Sequence, residues 1–519
     1  MKFSIVCSKI TVVASLVLAS ALFNSCEKDI ELTNLQPIVP TNLDANGGTW
    51  KPFILAKADE IALDAPKATN STEYQAELTE LKSLSTSLTA DQQAAVTFWG
   101  AGAVYRWSEI ARELAAKYNL PPVFNYEKGI YPVPDAANPL ADPKFPFCNP
   151  PYASRAFAYV AVCQYDALVA AWNYKYKYNR QSPAKVDASV KASLPVLDLP
   201  AYPSEDAVVA SASFEALRRL FPGEVDFLTA KLEEHKNARL WAGVNVRSDI
   251  TAGEALGKAV ATKVMARAGT DGMGAANNQA LVPTLIADAK ARGLVTEWKS
   301  QDLPARPPML PNFGNVTPWN MTAAQKVAVR PPAPYAVGST EFNKDLDELR
   351  SVIKNLTREQ HRIATYWSDG VGTYTPPGHW NREASELARK YQQSEIRTAR
   401  TMALLATAIE DAGISCWDTK YYYYTPRPFQ IDSDIRTTIG LPNFPSYTSG
   451  HSTFSGAGAA LLSYLFPTET ERLFAKAKEA SESRIYGGIH YRIDCEVGLQ
   501  VGQKIADFAI QRAKADNGQ

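Results

Sequence analysis

Apolar positions recur at three- and four-residue intervals through most of this chain, and the alternation expected of a half-buried strand is nearly absent. The pattern predicts a mostly helical protein. The stretch TADQQAAVTFWGAGAVYRWSEIARELAAKY opens with Thr89 and Gln92 spaced as a capping box and reads as helix to Tyr118. Residues 153–172 are apolar all round, as in a helix buried on every face. Helices also fit 204–220, 225–241 and 250–268. Asn381 caps the longest candidate, which Gly413 would end. Three more are expected: over 450–465, from Thr468 with Glu471 as its box partner, and from Arg484 through His490 to Arg512. The Pro-rich stretches 120–151 and 303–334 read as long irregular connections. There is no internal repeat. The fold class is all-α, a multi-helix bundle forming one domain over 89–515.

The first residues, MKFSIVCSKITVVASLVLASALFNSCEKD, follow a different rule. Lys2 and Lys9 precede an apolar run over 10–23, too short to span a bilayer as a mature helix, which marks an export signal over 1–25. Its end, ALFNSC, resembles the lipobox of bacterial lipoproteins, with Cys26 as the lipidated residue and Phe23 where leucine is expected. The Glu-Lys-Asp that follows resembles surface-export signals of the Bacteroidetes type. These resemblances imply a lipid-anchored protein of the cell envelope, at the outer membrane or cell surface; a plain secreted protein is the alternative. Residues 26–88 are polar with scattered apolar positions and read as a tether followed by irregular structure.

Charge narrows the partners. Lysine plus arginine and aspartate plus glutamate number 54 each, so no basic excess points to nucleic acid, and ionic chemistry must come from local clusters. Beyond the leader, Cys148, Cys163, Cys416 and Cys495 show no zinc-site spacing. They can pair as disulfides in an exported protein or stay free and buried, and spacing does not choose.

Three segments near the end concentrate chemistry-bearing residues. WDTKYYYYTPRPF carries Lys420 and Arg427, NFPSYTSGHSTFSGAG carries Ser449, Gly450 and His451, and SRIYGGIHYRID carries Arg484, His490 and Asp494. A helix start at Gly450 offers free N–H groups and a positive dipole end to an oxyanion. Gly450 admits a ligand close to the backbone, and Ser449 adds a hydroxyl. On a helix, His490 and Asp494 share a face, so the carboxylate fixes the imidazole tautomer. Two arginines and a lysine offset the charge of a tetrahedral anion such as phosphate or vanadate. His451 is then an acid or base beside it. Each residue alone has a plainer explanation in packing or surface charge; the ordered combination does not.

That combination, Lys-x6-Arg-Pro, Pro-Ser-x-x-Ser-Gly-His and Ser-Arg-x5-His-x3-Asp, resembles the motif shared by vanadium-dependent haloperoxidases and type 2 phosphatidic acid phosphatases, including bacterial acid phosphatases. Weaker resemblance to bacterial haloperoxidase-like members extends to NPPYASRAFAYVAVCQYDALVAAW and YWSDGVGTYTPPGHWNREA. The resemblance implies an all-α fold of that type with its active-site core over 415–512. Lys420, Arg427 and Arg484 would neutralise the oxyanion, and Ser449 and Gly450 would hydrogen-bond it. His490 would be the axial vanadium ligand or the phosphorylated nucleophile, oriented by Asp494, and His451 the acid–base group. Trp417 and Phe444 resemble the halide-pocket aromatics of the chloroperoxidase branch. The cofactor implied is vanadate, with halide and peroxide as small-molecule substrates; the phosphatase alternative needs no cofactor and takes a phosphate ester. Thr448, where that branch has proline, and Gly487, where it has a larger residue, depart from the pattern and would open the pocket. A homodimer is implied by analogy. A non-catalytic nutrient-binding surface lipoprotein is the rival from another class. Of the other histidines, His379 is expected in a turn before a helix, near the pocket entrance or structural, His235 at the surface, and His361 on a helix face.

Overall fold

The computed structural model describes residues 35–519, so the export signal and the lipidation site expected at Cys26 lie outside the described residues. The helices that build and support the site are α1 (Thr72–Leu84), α2 (Ala90–Trp99), α3 (Ala103–Tyr118), α4 (Pro150–Tyr178), α5 (Glu205–Leu220), α6 (Val225–Trp241), α7 (Arg247–Ala268), α8 (Thr375–Lys390), α9 (Glu395–Tyr423), α10 (Gly450–Leu465), α11 (Thr470–Tyr486) and α12 (Arg492–Ala515). Further helices, the longest of them Thr340–Lys354, fill the connections, and among the described residues no strand forms beyond one isolated bridge, Asn125 to Ile130. The all-α expectation holds. None of these helices is long and apolar enough to cross a membrane.

α4 and α9, each of 29 residues, form the centre. Asn149 opens α4 by accepting the Tyr152 N–H, and Asn179 ends it in the left-handed region at φ 48. Its all-round apolar sequence is buried on every face, against α5, α7 and α9. Each large aliphatic so enclosed, such as Val162 or Leu168, contributes roughly 1.5–3 kcal/mol. α9 is capped by Ser394 and packs on α4, α10 and α12, so one hydrophobic core runs from Trp50 to Ala513.

Several expected boundaries move. The run expected over 89–118 is two helices, because the Glu395 carboxylate of α9 accepts the Ala103 and Val104 N–H groups and starts α3 afresh. The helix expected from Asn381 to Gly413 is also two. α8 begins earlier, at Thr375, because Pro376 and Pro377 suit a helix's first turn rather than the turn before it. The chain breaks at Gln392, with φ 47, and α9 runs through Gly413 to Tyr423. α11 starts at Thr470 after a 3-10 turn, without the Thr468–Glu471 box. The helix expected from Arg484 to Arg512 is broken between α11 and α12 by Gly488, whose φ of 74 favours glycine.

The segment read as an irregular tether is largely part of the body. The buried Asp166 carboxylate on α4 accepts the N–H groups of Phe53, Ile54 and Leu55 at 2.7, 2.7 and 3.1 Å, and α1 forms behind its Ser71 cap. A buried acid holds this stretch, so its hydrophobic pattern is a poor guide. Cys148, Cys163, Cys416 and Cys495 are all free and buried, which settles the open pairing. His235 is wholly buried, not superficial: it stacks on Trp99 at 4.0 Å, accepts from Trp107 Nε1 and faces Asp206. Its charged neighbours misled because they point away from the inward face of α6. His361 is exposed on its helix, as expected.

α10 and α12 cross at backbone contact distance. A Cβ on Gly456 would stand 2.3 Å from the Leu499 carbonyl oxygen, and one on Gly502 2.1 Å from that of Thr453. The crossing brings the two helix starts together, and the Ser449 N–H donates to the Asp494 carbonyl at 2.9 Å.

Candidate oxyanion site

The glycine-lined crossing sets Ser449, Gly450 and His451 at the start of α10 beside His490 and Asp494 at the start of α12. Ser449 caps α10, its hydroxyl accepting from the Ser452 N–H. Gly450 is the first helical residue, and a Cβ there would meet nothing nearer than Phe454 at 3.8 Å and Trp417 at 3.9 Å. No protein atom demands that glycine, so the room above it is available to a ligand.

His490 lies in the turn between α11 and α12, not on a shared helix face with Asp494 as expected. The pair forms all the same. Asp494 is the third residue of α12, and its Oδ2 is 2.8 Å from His490 Nδ1. The same oxygen accepts from the Ser446 hydroxyl at 2.5 Å and the Tyr491 N–H at 3.3 Å. Nδ1–H therefore donates to the carboxylate, leaving a lone pair on Nε2. Arg427 Nη1 donates to that nitrogen at 2.8 Å. Burial, then Arg427, Lys420, Arg484 and His451, hold His490 well below the usual imidazole range. Burial raises Asp494 to about 6.

The three cations converge on this histidine but differ in freedom. Lys420, near the end of α9, directs its ammonium to the carbonyls of Pro445, Ser446 and Thr448 at 2.9, 2.7 and 2.5 Å, which uses all three donors. Arg427 bonds the carbonyls of Phe444, Pro445 and Ile489 besides His490. Both residues pin the 444–448 segment, which leaves their charge rather than free donors to offer an anion. Burial lowers Lys420 to about 7 and Arg427 to about 9. Arg484, in the last turn of α11, bonds only the Trp367 carbonyl through Nη1; its Nε is buried without a partner, and burial lowers it to about 10.

His451 Nε2 is likewise buried and unpartnered. Burial, then Arg484, hold it well below the usual imidazole range, so it is neutral near pH 7. Opposite it, at 4.0 Å, stands Asp369 Oδ2, a third buried atom without a hydrogen bond. Unsatisfied buried groups are rare and costly; here the His451 and Asp369 atoms face each other, and the Arg484 charge acts on both residues. Asp369 was not among the expected site residues, although the segment YWSDGVGTYTPPGHWNREA was. Its other oxygen faces His379 Nδ1 at 3.4 Å. His379 lies inside α8 rather than in a turn before it, stacked on Trp367 at 4.1 Å.

Trp417 and Phe444 come together as an apolar wall, with ring centroids 5.0 Å apart. The Phe444 ring lies 5.1 Å from the Lys420 ammonium and 5.2 Å from the Arg427 guanidinium, in cation–π range. The two departures from the family pattern do not open the pocket. Thr448 is fully buried beside Cys416 and Thr453, and a Cβ on Gly487 would stand 2.6 Å from Ile439.

In this all-α protein a helix-start pocket thus gathers three cations, a carboxylate-held imidazole and a second imidazole, a set whose charge and donors suit a tetrahedral oxyanion. Residues 400–515 match the model of the PAP2 superfamily, a stretch that takes in every element of the site except the Asp369–His379 side. A non-specific acid phosphatase from Providencia stuartii is 27% identical over 34% of this chain and 71% of its own length. A vanadium chloroperoxidase from Curvularia inaequalis is 32% identical over 18% of this chain, but that match spans only 20% of the chloroperoxidase. Among solved structures, a bacterial vanadium-dependent iodoperoxidase superposes with a TM-score of 0.54 at 27% identity, covering 70% of this chain and 91% of the other. A bacterial vanadium-dependent chloroperoxidase shares the fold at 12% identity and a TM-score of 0.50, covering 76% of this chain and 98% of the other.

Proposed function

We propose that this chain is a vanadate-binding haloperoxidase-type enzyme that uses hydrogen peroxide to oxidise halide. The carrying observation is the set of unpartnered buried atoms, Arg484 Nε, His451 Nε2 and Asp369 Oδ2, near His490 Nε2, whose lone pair accepts from Arg427 Nη1 until an anion takes that guanidinium's place. These residues suit vanadate: His490 Nε2 is the donor to the metal, Arg484 and the Gly450 N–H hold its oxygens, and Lys420 and Arg427 balance its charge. Bound vanadate supplies the activation of peroxide towards halide. The protein's own part is to keep the site dry, to hold Nε2 unprotonated through Asp494, and to receive the peroxide proton on His451. A neutral His451 suits a proton acceptor at the first step. Likeness to the iodoperoxidase over 70% of this chain, far beyond the PAP2 segment, supports the same reading. Trp417 and Phe444 give a halide a partly desolvated wall.

The second reading, hydrolysis of a phosphate monoester, is favoured by the match along 71% of the acid phosphatase. There the His490 Nε2 lone pair forms a bond to phosphorus as the ester P–O bond breaks, and His451 must arrive protonated to give its proton to the leaving alcohol. One experiment separates the two. Hydrolysis of p-nitrophenyl phosphate is measured without vanadate, then halogenation of monochlorodimedone with vanadate, peroxide and iodide, bromide or chloride. Vanadate activates the second reaction if the first reading holds and inhibits the first reaction if the second does. Indifference to vanadate in both assays would sink both readings and leave the nutrient-binding alternative.

The proposal extends to an envelope protein lipidated on Cys26, tested by labelled-fatty-acid incorporation that Cys26→Ser abolishes. A homodimer, proposed by analogy alone, is tested by sedimentation.

A further inference from the structure

Towards an anion the oxyanion site offers mainly donors and positive charge. Arg484 Nε, the Gly450 N–H and the charges of Lys420 and Arg427 all call for acceptor oxygens. Asp369 runs against them. Its Oδ2 is buried without a partner, and a carboxylate offers acceptors only.

The direction of that oxygen is fixed from several sides. Asp369 stands in the left-handed region, at φ 41, which aspartate and asparagine tolerate better than most residues. Asn119 holds the turn that follows: its amide donates to the Gly370 and Thr373 carbonyls at 2.8 and 3.1 Å, and its carbonyl accepts the Gly372 N–H at 2.9 Å. On the other flank, Arg484 Nη1 holds the Trp367 carbonyl at 2.9 Å. Oδ1 is turned to His379 Nδ1 at 3.4 Å, which leaves Oδ2 towards His451 Nε2 at 4.0 Å. That gap is too long for a hydrogen bond, yet an oxygen seated beside the pair can lie about 2.8 Å from both atoms.

A ligand held by Arg484 brings such an oxygen, since the Asp369 charge acts on that guanidinium directly. A bare oxyanion oxygen would set lone pairs against lone pairs and leave a buried acceptor unpaired. A hydroxyl oxygen removes the conflict: its O–H donates to Oδ2 while the ligand's other oxygens meet the cations. His451 Nε2 does not decide the matter, because a neutral imidazole nitrogen donates or accepts according to its tautomer. We propose that Asp369 is a specificity-determining residue that selects oxyanions bearing a proton, such as phosphate and vanadate near neutral pH, over fully deprotonated ones such as sulfate. Charge alone predicts the reverse order, because sulfate carries more negative charge towards the three cations.

Selection of this kind presupposes the oxyanion site but not turnover, so equilibrium binding tests it. Phosphate and sulfate share a shape and nearly a size. At about pH 6 inorganic phosphate keeps at least one proton and sulfate keeps none. Isothermal titration of the full chain is expected to show phosphate bound about 10–100-fold tighter. Asp369→Asn suits the same backbone angle, and its amide can turn a donor to the ligand. In that variant sulfate binds about tenfold tighter than in wild type, and the two anions come within a few-fold of each other. A loosened fold does not produce such a gain. Equal affinities in the wild-type chain, which need no variant to measure, overturn the proposal. So does an equal gain for both anions in Asp369→Asn, which would make the residue a source of charge alone. Binding of neither anion would overturn the oxyanion reading together with this one.

Discussion

His451 Nε2 and Asp369 Oδ2 face each other at 4.0 Å, and neither has a hydrogen-bond partner. That separation exceeds a hydrogen bond, yet at this range a carboxylate still favours the charged imidazole. Asp369→Asn removes that support, so the His451 pKa falls further and the acidic limb of the kcat/KM profile moves to lower pH. Turnover falls roughly tenfold, because the imidazole is then a weaker base for the proton it must accept. An unmoved pH profile would assign Asp369 to packing alone.

The two site histidines have separable duties. His490→Ala removes the nitrogen donor and is expected to weaken vanadate binding by about 10–100-fold. His451→Ala binds vanadate within a few-fold of wild type yet loses about 10²–10⁴ in turnover. Isothermal titration checks the first and steady-state assay the second; equal loss of binding in both would contradict the division.

Anion affinity should fall with rising pH. Burial presses Lys420 down to about 7, against 10.5 for an ordinary lysine, while its three carbonyl acceptors favour the ammonium; loss of its charge in the free protein as pH climbs is the expected outcome under test. A bound anion restores the charge, so binding takes up a proton above about pH 7. Sulfate is a suitable probe, since it stays dianionic across the range. Its dissociation constant rises from pH 6 to pH 9, by at most about tenfold per unit for a single coupled proton. The same linkage adds stability as pH rises between the folded and unfolded lysine values, where the unfolded chain binds more protons. A flat profile means that Lys420 stays charged without the anion.

The helix crossing carries the site's geometry. Gly502→Ala puts a methyl 2.1 Å from the Thr453 carbonyl, which forces α10 and α12 apart at a cost of about 1–3 kcal/mol. Sulfate affinity falls with it, as Ser449 and Asp494 separate. Gly274→Ala, with nothing within 4 Å, leaves both unchanged. Thermal melts and sulfate titration test the pair.

Much of this was legible in the chain. An all-round apolar run located α4, because that helix is buried on every face, and helical patterning located α5 and α6. The three motifs named Lys420, Arg427, Ser449, Gly450, His451, Arg484, His490 and Asp494, which the fold brings around one imidazole. Tertiary contacts hid the rest. The His490–Asp494 pair suggested one continuous helix, whereas Gly488 breaks it and the pair forms across the turn. His235 looked superficial because periodicity within a charged run does not reveal two tryptophans waiting in α2 and α3. Asp369 and His379 carried no spacing of their own. They matter because Arg484 reaches back to Trp367 and draws that turn over the site.

The three amides held by Asp166 bear on where the enzyme works. Ordered packing begins by Gln36, whose carbonyl accepts from Arg389. If Cys26 bears lipid, as proposed, nine residues of sequence lie between it and Gln36, and nine residues span at most roughly 30 Å. On that proposal, a catalyst held so close would sample the thin layer of solute at its own membrane and release its product there, before the bulk could dilute it.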